Sequence, residues 1–127
     1  MNKEIIKTDK APGAIGPYSQ AVRVGDFIFA SGQVPLVPET GELVTGTIEE
    51  QTERAMENIK GLLESQGLTM ANIVKTTVFM TDMNDFAKMN GVYGKYFDEN
   101  PPARSAVQVA ALPKGANVEI ETISIVK

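Results

Sequence analysis

The chain has 127 residues, 43% of them hydrophobic, with 12 Lys+Arg against 16 Asp+Glu for a net charge of −4. That length is one domain's worth, and the apolar fraction is enough for a single core without covalent staples. The chain has no His and no Cys, which excludes Ser-His-Asp and Cys-His catalysis, imidazole acid–base work, disulfides, iron–sulfur ligation and the usual zinc sites.

A pI near 4.8 lacks the basic footprint from which nucleic-acid binding starts. The opening MNKEIIKTDK scatters charges and has no apolar h-region, so no signal peptide is expected. No apolar run approaches the ~18 residues of a membrane span. A Cys-free chain fits a reducing cytosol, and the expected setting is cytoplasmic. Any catalysis falls to Asp, Glu, Lys, Arg, Tyr, Ser, Thr or the backbone.

In chain order, residues 3–7 (KEIIK) form a short edge strand, followed by a Gly/Pro loop over 10–17. Two β-prone runs, 20–24 and 27–31, flank Gly25-Asp26 and suggest a hairpin. Residues 34–43, with two Pro and a Thr-Gly turn, form a surface excursion. The clearest helix is 48–66, where Ile48, Thr52, Ala55, Ile59, Leu62, Leu63 and Gln66 keep helical spacing. Thr47 and Glu50 supply its capping box, and Gly67 a left-handed stop.

The β-branched run 73–80 reads as a strand. A second helix after Asp82 carries Phe86, Met89, Asn90, Tyr93 and Phe97 at helical spacing and stops at Asn100-Pro101-Pro102. Runs 105–112 and 118–127, joined by Pro113-Lys114-Gly115, are expected as a final pair of strands. The order β-β-β-α-β-α-β-β predicts one α+β domain over 1–127, with helices on one face of the sheet. In the last strand Val118, Ile120 and Val126 point one way and Glu119, Glu121, Ile123 and Ile125 the other. Two helices leave one apolar face spare, which argues for an oligomer.

Arg104 opens an apolar strand behind a rigid Pro-Pro. Its planar fork suits a carboxylate or phosphate, although an edge arginine in a surface ion pair gives the same sequence. Glu119 alternates with apolar neighbours, which suits a raised pKa and acid–base work, or else a solvent-facing glutamate. Asn90 interrupts an apolar helical stripe, and Tyr18 follows Gly16-Pro17. Ser31 ends a strand at Ser31-Gly32-Gln33. Each could line a pocket or serve only local structure; without His, Ser31 has no standard base to make it a nucleophile. Gly41 and Gly46 have phosphate-loop spacing, but Thr47-Ile48 stands where Lys-Ser/Thr is required. Glu49, Glu50 and Glu53 favour a helix dipole without invoking metal, and the methionines at 56, 70, 80, 83 and 89 read as core filler.

Together these blocks closely resemble the RidA (reactive intermediate/imine deaminase A, or YjgF) family over essentially the whole chain. The most specific is Pro102-Ala103-Arg104-Ser105-x-Val107, then Leu112-Pro113-Lys114 and Val118-Glu119-Ile120. The runs 14–20 (AIGPYSQ), 31–35 (SGQVP) and 74–79 (VKTTVF) match as well.

The resemblance implies a chorismate-mutase-like fold, a six-stranded mixed sheet with two helices on one face. It implies a homotrimer around a central sheet barrel, with ligand clefts between subunits. It implies cofactor- and metal-independent hydrolysis of enamines and imines, such as 2-aminoacrylate, to 2-oxo acids and ammonia. Such intermediates come from pyridoxal-phosphate-dependent dehydratases. By the resemblance Arg104 clamps the substrate carboxylate and Glu119 positions water and handles protons. Tyr18, Ser31 and Asn90 line the cleft, and the amide around Ala106 holds an oxygen. Many members carry Cys where Ala106 stands, so regulation through that thiol is excluded here. Three other readings stand beside the deaminase: a 2-oxo-acid-binding regulatory trimer, an endoribonuclease or translation inhibitor, and a structural or holdase-like trimer.

Overall fold

The computed structural model describes residues 2–127. Its elements are β1 (Lys3–Ile6), β2 (Ala21–Val24), β3 (Phe27–Gln33), α1 (Ile48–Glu64), β4 (Ile73–Met80), α2 (Phe86–Tyr93), β5 (Ala103–Gln108) and β6 (Val118–Ile125). They form one six-stranded sheet in the order β1-β2-β3-β6-β4-β5, antiparallel except for the parallel β4–β5 pair.

The hairpin forms where the Gly25-Asp26 signal placed it, with Gly25 at φ 60°. The capping box of α1 forms too: Thr47 Oγ1 accepts from the Glu50 amide at 3.2 Å, and Glu50 Oε1 accepts from the Thr47 amide at 3.1 Å. This helix closes two residues earlier than its periodicity suggests, with Ser65 as C-cap, and the left-handed Gly67 turns the chain outward. Helix α2 is likewise shorter than its stripe, since the last turns run on as a tighter 3₁₀ segment and leave Phe97 beyond the helix.

The last two strands differ most from expectation. β5 starts at Ala103 and ends at Gln108, not at 112, and it never pairs with β6. Instead β5 runs parallel to β4, with α2 as the crossover a parallel pair requires. β6 inserts between β3 and β4 in the centre of the sheet. A central strand must be buried on its core side, and β6 has the alternation for it: Val118, Ile120, Thr122 and Ser124 are buried toward the helices.

The helices pack on this one face. The main core holds Ala55, Met56, Ile59 and Leu63 of α1 against Val78, Met80, Met89, Tyr93, Val118 and Ile120. Met56, Met80 and Met89 are fully buried, as gap-filling residues should be. On the other face Ile5, Phe27, Phe29 and Val107 remain 57%, 47%, 44% and 44% exposed. The single chain therefore leaves several apolar side chains exposed on the sheet face opposite the helices.

Candidate functional site

Arg104 sits on the edge strand β5, in register with Thr76 on β4, and faces the helical side. There it meets Phe86, Asn90 and Tyr93, spaced i, i+4, i+7 on one face of α2. Its Nη1 donates to Asn90 Oδ1 at 2.6 Å, and its guanidinium carbon lies 5.2 Å from the Phe86 ring centre and 4.9 Å from that of Tyr93. The Tyr93 hydroxyl in turn shares a buried 2.8 Å hydrogen bond with Thr76 Oγ1. Burial pushes the Tyr93 phenol above 10, partly offset by the Thr76 hydrogen bond and by the Arg104 charge. The ring under Arg104 thus stays neutral and fixed. An edge arginine in a surface ion pair was one reading of the sequence; the structure gives it an aromatic cradle and an amide instead. Such stacking suits guanidinium more than ammonium and leaves its outward N–H groups free for an anion. Ala106, two residues on, registers with Val78 and packs against the core from the same side.

The other expected residues gather at the end of β3. Between Ala30 and Gln33 this strand advances three residues while β6 advances two, from Thr122 to Ile120. The extra residue is a β-bulge at Ser31-Gly32, a device that re-aims side chains beside functional sites. Ser31 Oγ donates to the Ser19 carbonyl at 2.7 Å, and Ser31 with Gly32 and Tyr18 lines a small cavity of about 40 Å³. Tyr18 is 53% exposed at its mouth. The Glu119 carboxyl lies against Gly32 on the side away from the helices. Burial pushes its pKa above the ordinary 4.5, and the neighbouring Glu121 charge adds to the effect. The group is thus poised to hold a proton to higher pH than a solvated glutamate.

The two clusters do not meet within one chain. β5 lies two strands from β6, and Arg104 and Glu119 map three residues apart along β4, at Thr76 and Phe79. At about 4.8 Å between strands and about 3.3 Å per residue, their Cα atoms are roughly 14 Å apart, with side chains on opposite faces. So Arg104 and Asn90 come together in one cluster, while Tyr18 and Ser31 line a cavity with Gly32, the glycine against which Glu119 lies, in another.

Several supporting residues escape a reading of the sequence. Gln20, 4% exposed, fixes the loop that carries Tyr18. Its side chain accepts from the Thr8 amide at 2.7 Å and donates to the carbonyls of Thr8, Ala11 and Pro12 at 2.9, 3.3 and 2.8 Å. Asn58 on α1 donates to the Val34 and Leu36 carbonyls at 3.3 and 2.8 Å and pins the excursion after β3. Phe86 and Tyr93 were visible only as an apolar stripe; the spacing was a signal, but nothing local said that an arginine would lie on it. A larger groove of about 970 Å³ runs between the end of α1 and residues 96–100, lined by Lys60, Leu68, Tyr96 and Phe97 among others. None of the expected site residues reaches it.

The fold is that of a small α+β protein, and the two clusters offer a guanidinium, a carboxylate and hydroxyls as candidate functional groups. The family model for endoribonuclease L-PSP matches residues 8–126. Human 2-iminobutanoate/2-iminopropanoate deaminase is 50% identical over 123 residues, covering 97% of this chain and 90% of that protein. The Escherichia coli TdcF structure with bound serine superposes with a TM-score of 0.92 at 46% identity, covering 98% of this chain and 99% of that one. RidA from an Antarctic Psychrobacter superposes with a TM-score of 0.92 at 50% identity, covering 97% and 99%. The chain belongs to the endoribonuclease L-PSP family, that of the RidA (YjgF) proteins.

Proposed function

We propose that this chain is a 2-iminobutanoate/2-iminopropanoate deaminase that works as a homotrimer, its site completed between copies. The observation that carries the reading is the split itself. An aromatic-cradled arginine fork and a desolvated glutamate, each with polar neighbours, face away from each other in one chain. Each is half of a carboxylate-binding, proton-transferring site. The apolar sheet face bearing Phe27 and Phe29 supplies the surface on which three copies would close around a common barrel.

In that site Arg104 takes the substrate carboxylate bidentately through its outward N–H groups. Tyr18, Ser31 and Asn90 line the cleft, and the backbone at Ala106 holds an oxygen. Glu119 accepts a proton as water adds to the imine carbon and returns it to nitrogen as ammonia leaves. An imine and one water thus give a 2-oxo acid and ammonia. The imine is already electrophilic, so orientation and one acid–base group supply the catalysis. This is chemistry that Arg and Glu can perform without imidazole, thiol, metal or cofactor. The substrates would be the enamines, such as 2-aminoacrylate, and imines released by pyridoxal-phosphate-dependent dehydratases in the cytoplasm.

The test is a coupled assay. A serine or threonine dehydratase generates the enamine in place, semicarbazide competes for the imine, and 2-oxo acid release is followed. Wild type accelerates release, while Arg104→Ala and Glu119→Gln, still trimeric, do not. Absence of acceleration by wild type refutes the deaminase, and the cleft is then treated as a 2-oxo-acid-binding site.

A further inference from the structure

We infer that the missing side chain at position 32 seats the Glu119 carboxyl, making Gly32 a positioning residue for the proton-transfer group; this rests on the deaminase reading above. Gly32 does not have a left-handed backbone, unlike Gly16, Gly25, Gly41, Gly67 and Gly115, so its conformation alone does not call for glycine. Space does. A Cβ built on Gly32 would overlap Glu119 Oε2 and lie 2.7 Å from its Cδ and 2.9 Å from its Cγ. Real Cβ atoms do not approach so closely, so the carboxyl lies flat on a surface that only glycine provides.

The bulge explains the closeness. The extra residue between Ala30 and Gln33 brings Gly32 under the side chain of Glu119 on the adjacent strand. The carboxyl is thereby laid along the bulge, whose Ser31 and Gly32 line a small cavity with Tyr18. An alanine would meet the end of one flexible side chain, not backbone. It should leave the fold intact and swing the carboxyl aside by an ångström or more, a displacement that can cost up to about a hundredfold in rate.

The experiment runs Gly32→Ala in the wild-type background through the coupled assay, and measures 2-oxo-acid binding for the same change in the Glu119→Gln background. Melting temperature, oligomeric state and a crystal structure are determined for each variant. Gly32→Ala is expected to fold like wild type, to show a displaced Glu119 carboxyl, and to lose tenfold or more in kcat with KM within twofold. In the Glu119→Gln background, which does not accelerate release, the same change is expected to alter 2-oxo-acid binding by less than twofold, because Arg104 and not residue 119 holds the carboxylate. A loss that appears in KM or in 2-oxo-acid binding instead of kcat, or an undisplaced carboxyl, overturns the inference. An active wild type with an unimpaired Gly32→Ala overturns it while leaving the deaminase standing; an inactive wild type overturns both.

Discussion

Tyr93→Phe probes the support of Arg104 through one atom. The change leaves the ring beneath the guanidinium, 4.9 Å away, and against Phe97, whose ring centre is also 4.9 Å distant. It removes only the hydroxyl that shares a 2.8 Å bond with Thr76 Oγ1. Thr76 is 1% exposed, so water cannot replace the lost partner. A buried hydroxyl left unpaired costs about 1–3 kcal/mol, against roughly 1 kcal/mol for an ordinary hydrogen bond replaced by solvent. We therefore expect Tyr93→Phe to destabilise by about 2 kcal/mol. Thr76→Val should cost a similar amount, because it strands the Tyr93 hydroxyl. Removing both partners leaves two apolar groups of nearly the original shape, so the double variant should cost less than either single change. The assay is urea unfolding followed by circular dichroism at one fixed protein concentration, because the stability of an oligomer, as proposed here, depends on concentration. Single and double variants should share one denaturant slope and differ in midpoint. Additive losses, or a Tyr93→Phe cost below about 0.5 kcal/mol, would refute the claim that this bond is a closed, dry pair.

Gln20→Ala removes four hydrogen bonds that hold residues 8–12; amide exchange over residues 8–19 should quicken more than in α1, and equal protection would refute the anchoring role. Phe29→Glu places a charge on the apolar sheet face and should shift the chain toward monomer in light scattering, with loss of any activity that needs both half-sites. Glu119→Gln should be more stable than wild type near neutral pH. The folded state raises the Glu119 pKa above 4.5, so it binds more protons than the unfolded chain across that interval, and stability falls as pH rises through it. The advantage of glutamine should therefore vanish below the ordinary carboxylate range, and a gap that persists there would contradict a buried charge as its cause. Arg104→Lys keeps the charge but loses the fork and the stacking; it should weaken carboxylate binding about tenfold or more, read as KM in the coupled assay.

The sequence by itself determined the local elements. Capping chemistry at Thr47 and Glu50 set the start of α1, and period-two alternation in 118–125 assigned each side of β6. The same alternation put Glu119 opposite Val118 and Ile120, and the family blocks around Arg104 and Glu119 made those two residues the candidates for chemistry. These signals are legible because they depend on neighbours within a few positions. Tertiary structure alone decided strand order. Period two says which face a residue takes, not which strand lies beside it, and so 105–112 and 118–127 looked like partners. Burial settles the matter, since β6 takes the centre, where both neighbours bond its backbone, and β5 is left at the edge. That placement puts Arg104 and Glu119 on opposite faces, lays Arg104 on Phe86 and Tyr93, and brings Gly32 beneath Glu119. Each depends on residues far apart in sequence, so no local pattern could have announced it.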